Sequence, residues 1–508
     1  MTLISFRYLV FVLALLIVYY IFPKKYRWTI LLLGSIVYYF ISTKKLIIFI
    51  IMSIISIYFV GLLLTNINKK IKLLNKEDKK TAVSKFKRNK KIIILLGVLL
   101  NVGFIIVTKY SGFVIENINN IFKTGITINN ILLPLGISYY TLEAISYITD
   151  VYRDKYEATK NPFKIALYLL YFPKIIEGPI SRFSDLNKDL FENNKLDFNS
   201  IIIGCDLIIL GLFKKMVIAD RAGIFVNNVF GNNYGGITII LAMILYTVQI
   251  YAEFSGCIDI VRGVSMLFNV RLPENFKRPF FSKSIQEFWR LWHISLGNWL
   301  KEYVFYPVSL SKTNRKVCRF CKNKLNTYLF RFISAAFPLL FVWIINGLWH
   351  GASFKYLFYG MYYYIIMMIG LLFKPIFDKL LKNIKKDSIV LNGFRIIRTV
   401  IIVIIGMTLF RANTFNEFII MITNIFKKGN GILEYGLTHI DFIILVITNM
   451  FIFVIGILSE KNIIDIEKGF TTNLIIRSLI YTLLICTTVI FGIYGEGYDA
   501  SNFIYGAF

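Results

Sequence analysis

The chain holds only three histidines, His293, His350 and His439, so its candidate acid–base chemistry is quickly located. An imidazole titrates near neutrality. It can take a proton from a weak nucleophile such as an alcohol and return it to a leaving group. His350 closes a strongly apolar run, Phe341 to Trp349, and is followed by Gly351, Ala352 and Ser353. An ionisable group at that depth is costly to hold, which makes it a functional candidate by default. Asn346 stands four residues earlier on the same helical face, where it could orient the ring. The plainer reading is a histidine near a helix end that bonds a carbonyl. His293 lies in FWRLWHISLGNWL, residues 288–300. Helical spacing there puts Trp289 on the face of His293, and Trp292 with Trp299 on another. That pattern equally describes an amphipathic helix anchored by tryptophans at a membrane interface. His439 follows a Gly-rich loop, Lys428 to Gly436, and reads as a surface residue without a role.

Other chemistries have less support. No H-x-x-x-H pair occurs, and the histidines lie far apart along the chain, so a His-rich zinc site is disfavoured. Neither a G-x-S-x-G elbow nor a Walker-type phosphate loop is present. Cys205, Cys257 and Cys486 sit in apolar segments as small hydrophobes. Cys318 and Cys321 form a lone C-x-x-C in a basic loop, with no second pair to complete a metal site. Two acid–base pairs at i,i+3, Asp150 with Arg153 and Asp259 with Arg262, read as same-face clamps between membrane helices rather than as catalysts. Glu143, Ser146 and Tyr147 make the first of these helices polar enough to line a wet interior.

The elements that must position these groups are membrane helices. Of 508 residues, 56% are hydrophobic and only 17% charged. A soluble domain has too little interior for that much apolar surface, whereas lipid solvates it. The net charge of +29 is then explained by cytoplasmic loops rather than by nucleic acid. Lys69 to Lys91 carries eleven Lys and Arg against Glu77 and Asp78, with smaller clusters at Lys312–Lys324 and Lys374–Lys386. Anionic headgroups would hold such loops close. With the 66–91 loop inside, the third span runs inward, Lys24, Lys25 and Arg27 also fall inside, and the N-terminus is outside; Lys44 and Lys45 argue mildly against this. The run Tyr8 to Phe22 lacks a small-residue cleavage site and stays as the first span.

Hydropathy marks thirteen apolar segments. They are Ile4–Phe22, Trp28–Ser42, Leu46–Thr65, Ile92–Thr108, Leu132–Tyr152, Lys164–Ile176, Ile201–Phe213, Ile237–Phe254, Leu325–Leu348, Tyr356–Phe373, Val390–Leu409, Phe442–Leu458 and Leu474–Tyr494. Lys164–Ile176 is too short to cross a bilayer alone and runs into Glu-Gly-Pro-Ile-Ser-Arg, a break tolerated only inside protein or a wet cavity. Residues 253–310 mix aromatics with charges and predict amphipathic or re-entrant helices inside a helical shell. The fold class is an all-α polytopic membrane protein. No repeat or soluble domain is visible, so residues 1–508 are expected to form one membrane domain, with N-terminal spans in 1–110 and C-terminal spans in 390–508.

Five stretches together carry a resemblance. They are LPLGISYYTLEAISYITDVYR (Leu133–Arg153), YFPKIIEGPISRFSDL (Tyr171–Leu186), RLPENFKRPFFSKSIQEFWRLWHISLGNWL (Arg271–Leu300), GLWHGAS (Gly347–Ser353) and the terminal FIYGAF (Phe503–Phe508). In this order they resemble the membrane-bound O-acyltransferases, in the bacterial branch that acetylates alginate and related polymers. Members often have Gln where Glu143 stands, and Asp-Phe-Ser-Gly-Tyr-Ser-Asp in place of Glu253 to Asp259. The resemblance implies transmembrane and re-entrant helices around a tunnel, with a catalytic core over about residues 130–375, in a bacterial plasma membrane. It implies His350 as the catalytic histidine and His293 as a second one on the same tunnel. Asn346, Trp289, Trp349, Glu143, Asp259 and Arg262 would support it, with no metal. It further implies no resident cofactor and a cytoplasmic thioester donor, acetyl-coenzyme A or an acyl carrier protein. The other expected partners are an extracellular acetyltransferase, a polysaccharide acceptor and membrane lipid. The alternatives are a teichoic-acid D-alanyl transferase, whose relatives tend to lack the Tyr306-Pro307 step, and a polysaccharide exporter, for which repeated halves would be usual.

Overall fold

In the computed structural model the described residues are 1–74, 79–127, 133–192, 195–232, 234–322, 325–382, 385, 388–428, 436–461 and 474–494. FIYGAF and most of the Gly-rich loop before His439 lie outside them. Lipid offers the backbone no hydrogen-bond partner, so a spanning chain must satisfy its own amides, and a helix does so within one segment. Among the described residues the regular secondary structure is helical, apart from an isolated antiparallel bridge between Phe276 and Trp292. Seven helical stretches there are long and apolar enough to cross a membrane. Large apolar side chains such as Ile17, Leu63, Ile397 and Ile447 stay on the outside of their helices, where lipid would meet them. The protein is an all-α polytopic membrane protein.

The chain divides into two compact units, Met1–Cys205 with Val261–Pro273, and Asp206–Ile260 with Glu274–Phe508. The helices of the first part are α1 (Phe6–Ile21), α2 (Arg27–Thr43), α3 (Ile47–Leu73), α4 (Lys79–Ile105), α5 (Ser111–Phe122), α6 (Ile137–Tyr152), α7 (Pro162–Leu170) and α8 (Phe183–Phe191). In the first unit α3, α4 and α6 pack against one another, and α7 packs on α2 and α3. Helix α7 starts on the Asn161 side chain, which accepts from the Phe163 amide, with Pro162 in its first turn. It is short, as its sequence requires, and gives way to turns through Tyr171–Glu177. Gly136 opens α6 at φ 71°, and a Cβ there would fall 1.9 Å from the Ile175 carbonyl oxygen, so this entry needs glycine.

The remaining helices are α9 (Phe198–Phe213), α10 (Asp220–Phe230), α11 (Ile237–Leu267), α12 (Ile285–Leu291), α13 (Ile294–Leu300), α14 (Tyr306–Ser309), α15 (Lys312–Lys322), α16 (Thr327–His350), α17 (Phe354–Leu380), α18 (Ile389–Arg411), α19 (Phe415–Asn424), α20 (His439–Glu460) and α21 (Leu474–Phe491). Two helices run further than their hydropathy predicts. The segment predicted as Ile237–Phe254 continues as one 31-residue helix to Leu267, so Glu253 and Asp259 belong to a long helix rather than to a re-entrant one. The segment ending at Phe213 does not stop there, because a π-helical turn, Lys214–Ala219, joins α9 to α10. In the second unit α16 and α17 form a close hairpin. A Cβ on Gly347 would come 2.4 Å from the Tyr356 carbonyl oxygen, and one on Gly360 would come 2.3 Å from that of Trp343. Small residues of this kind let helix backbones approach in a membrane.

Candidate active site

His350 is the last residue of α16, and its ring is buried at 3% exposure. Three aromatic rings from other elements wall the imidazole. Phe410 at the end of α18 lies edge-on at 5.1 Å between centroids, Tyr359 of α17 lies edge-on at 5.8 Å, and Tyr356 stacks at 6.3 Å. Gly351 follows directly, and a Cβ on it would strike the Tyr356 ring at 2.2 Å. The Trp-His-Gly sequence therefore joins a ring-bearing helix end to a position where any side chain would collide with Tyr356.

His293 is equally buried, between α12 and α13, and adopts φ 50°. A non-glycine residue in that left-handed region carries strain, and such strain concentrates at functional sites. Asn275 holds the reversal, since its carbonyl accepts the Ile294 amide at 3.0 Å and its side-chain Oδ1 accepts the Ser295 amide at 2.9 Å. The Lys277 amide adds a bond to the Leu291 carbonyl at 3.0 Å. Phe254 of α11 packs edge-on against the imidazole at 4.9 Å. Neither ring nitrogen of His293 meets a hydrogen-bond partner among the described residues. A buried polar group without a partner is costly, and a ligand could supply one.

The two histidines meet across one indole. Trp349 lies 5.5 Å from the His293 ring and 4.9 Å from the His350 ring. These two legs bound the separation of the imidazoles to at most about 10.4 Å. Two ionisable rings far apart in sequence thus share one buried aromatic locus in the second unit.

The predicted supporting residues distribute unevenly. Trp349 is central. Trp289 does not share a helical face with His293, because α12 ends at Leu291 and the chain reverses at His293. Its ring packs instead on Trp343 at 5.1 Å and Tyr363 at 4.8 Å, and it reaches Tyr359 at 6.3 Å. The pairing of Trp292 with Trp299 is broken by the same reversal; Trp292 packs on Phe276 and Phe288, and Trp299 on Tyr303. Asn346 is buried one turn before His350, as its spacing predicts.

Glu143 lies in the first unit, in a buried ion pair with Lys174, and also accepts the Ser181 amide at 3.0 Å. Lys174 in turn sits over the Tyr168 ring at 4.8 Å. Its role there is to tie α6 to the turns after α7. The ion pairs formed by the two aspartates reach further than i,i+3. Asp150 meets Lys155 at 3.0 Å, and Asp259 meets Lys214 at 2.6 Å. Arg262 directs its Nε–H to the Leu272 carbonyl at 3.3 Å.

Sequence reasoning missed Asn275, which clamps the His293 turn and has no distinguishing local signal. It also missed Lys214 and Lys215 on the π-helical turn. Lys215 reaches Asp220 at 2.8 Å and Glu253 at 3.3 Å, so with the Lys214–Asp259 pair two cations meet three carboxylates in buried surroundings. Their signal was available, since two adjacent lysines inside Gly211-Leu-Phe-Lys-Lys-Met-Val-Ile are costly unless paired.

A helical membrane protein with a buried histidine pair is the class that fold and site define. The sequence model of MBOAT, membrane-bound O-acyltransferase family, matches residues 157–411, and the chain belongs to that family. It is 35% identical over 272 residues to a protein named probable alginate O-acetylase in Pseudomonas putida, covering 53% of this chain and 52% of that protein. To the peptidoglycan O-acetyltransferase of Helicobacter pylori it is 29% identical over 308 residues, 55% of each chain. To the teichoic acid D-alanyltransferase of Bacillus subtilis it is 32% identical over 248 residues, 47% of this chain and 59% of that one. The chain spans a little over half the length of these relatives. His293, Trp349 and His350 all fall within the matched family region.

Proposed function

We propose that the protein is an O-acyltransferase that moves an acetyl group from a thioester donor, acetyl-coenzyme A at the cytoplasmic side, toward a polysaccharide hydroxyl outside the cell. The observation that carries this reading is the pair of buried imidazoles joined across Trp349. An alcohol is a poor nucleophile at neutral pH. His350 takes the hydroxyl proton as the new C–O bond forms, and returns it to the sulfur as the C–S bond breaks, so an ester and a free thiol leave. His293 binds acceptor or polarises the carbonyl through a ring nitrogen that meets no hydrogen-bond partner among the described residues. The aromatic wall of Tyr356, Tyr359 and Phe410 excludes water, which would otherwise compete with the alcohol for the acyl group.

A membrane setting suits this chemistry. Coenzyme A is too highly charged to cross lipid, while the polymer lies outside. Acceptor modification runs either directly or through an extracellular acetyltransferase that receives the acyl group. In the test, His350→Ala and wild type are restored to a deletion strain, and ester-linked acetate released from the envelope by mild base is quantified. Loss of a general base predicts about a 10²–10⁴-fold fall at equal protein abundance. Unchanged acetate in that variant would overturn the assignment.

The similarity to a teichoic acid D-alanyltransferase supports a second reading, D-alanyl transfer from a carrier-protein thioester. Purified protein given labelled acetyl-coenzyme A in one assay and D-alanyl carrier protein in another separates the two by which label it releases from sulfur.

A further inference from the structure

In the first unit a cavity of about 350 Å³ opens where α3, α4 and the turn after α6 converge. Five cationic side chains line it: Lys72 near the end of α3, Lys87, Lys90 and Lys91 on α4, and Arg153 just past α6. One carboxylate, Asp154, joins them and pairs with Lys72 at 2.8 Å. Lys90 lies over the Tyr152 ring at 4.7 Å. Among the described residues no carboxylate comes within ion-pair distance of Lys87, Lys90 or Lys91. Two of the walls are tied together, because the Asn68 amide of α3 donates to the Val151 carbonyl of α6 at 2.9 Å.

The level of the cavity along the helices is also legible. Helix α3 is apolar up to Leu64 and turns basic from Lys69, while α4 is basic up to Lys91 and turns apolar from Ile92. The cavity therefore sits where both helices leave their hydrophobic stretch, at the depth of lipid headgroups. Three of these cations, Lys87, Lys90 and Lys91, meet no carboxylate among the described residues, and an anion entering the hollow lowers their mutual repulsion. A tetrahedral phosphate suits ammonium and guanidinium donors arriving from three directions.

We propose that this cavity is a binding site for a phosphate group, carried either by an acidic phospholipid of the surrounding leaflet or by a soluble phosphorylated molecule. None of its residues belongs to the histidine pair, and its test does not depend on turnover.

The full chain is reconstituted in phosphatidylcholine nanodiscs. One arm includes phosphatidylglycerol and measures by native mass spectrometry how much the protein retains; the other titrates inorganic pyrophosphate by calorimetry. Lys87→Ala/Lys90→Ala removes two cavity charges. Lys85→Ala/Arg88→Ala removes two exposed charges of the same helix that do not line the cavity. With about a tenfold contribution or more expected from two cations at the headgroup level, the cavity variant loses that much binding of one probe while the control keeps it. The responding arm identifies the source. Equal loss in both double variants would mean diffuse surface charge, and loss in neither would mean no site; either result overturns the proposal. Arg153→Gln, on a different element, carries the same test should the double variant not fold.

Discussion

At the scale of residues, the decisive feature is a backbone angle as much as an imidazole. His293 combines φ 50° with a buried ring, so backbone and side chain can be tested apart. Asparagine tolerates the left-handed region, whereas a β-branched residue does not. His293→Asn is expected to purify like wild type and yet lose most acyl transfer. His293→Val should lose folded protein, seen as a lower melting temperature by fluorescence-detected size exclusion. If both variants fold and transfer normally, the strained turn serves no chemistry. His350 poses the simpler question answered by its alanine variant, because its helical backbone is undemanding.

At the scale of elements, the site depends on how closely α17 lies against α16, since Tyr356 and Tyr359 reach His350 only from that distance. Gly347→Ala would push a methyl onto the Tyr356 carbonyl oxygen, 2.4 Å away, and the helices must part. We expect a drop in melting temperature and a disproportionate fall in activity. Gly393→Ala on α18, where nothing lies within 4 Å of the added carbon, should be neutral or slightly stabilising. Equal effects at the two positions would remove the close hairpin from the explanation. The π-helical turn at Lys214–Ala219 belongs to this scale as well. Its two lysines find carboxylates on both α10 and α11, which pins the α9–α10 junction to α11.

For the molecule as a whole, charge placement sets both stability and orientation. The Glu143–Lys174 pair is buried on both sides, so removing one partner strands a charge. Glu143→Ala is expected to cost about 3–5 kcal/mol, and replacing the pair together by Glu143→Leu/Lys174→Met should recover most of it. Thermal melts of the two variants decide this; a double variant as unstable as the single would contradict it. Orientation follows from the basic stretch between α3 and α4. In a variant with the five native cysteines replaced, Lys85→Cys should react with an impermeant maleimide only after the cells are opened. Labelling of intact cells would place this loop outside and invert the topology.

Composition alone determined that the chain lives in a membrane, and hydropathy located most of its helices, because burying so much apolar surface in lipid leaves helices as the economical way to satisfy each segment's backbone. The scarcity of histidine singled out His350 and His293, and the order of five motifs pointed to the family. The sequence could not show that these rings meet at Trp349, nor that α12 ends before His293. Nor could it show that Lys214 rather than a near neighbour would answer Asp259. The reason is physical: in lipid the outer face of a helix is as apolar as the inner one, so periodicity does not reveal which side faces the protein. Ring contacts and ion pairs between distant segments follow from packing, and a single left-handed residue can reverse the chain without altering its hydrophobic pattern.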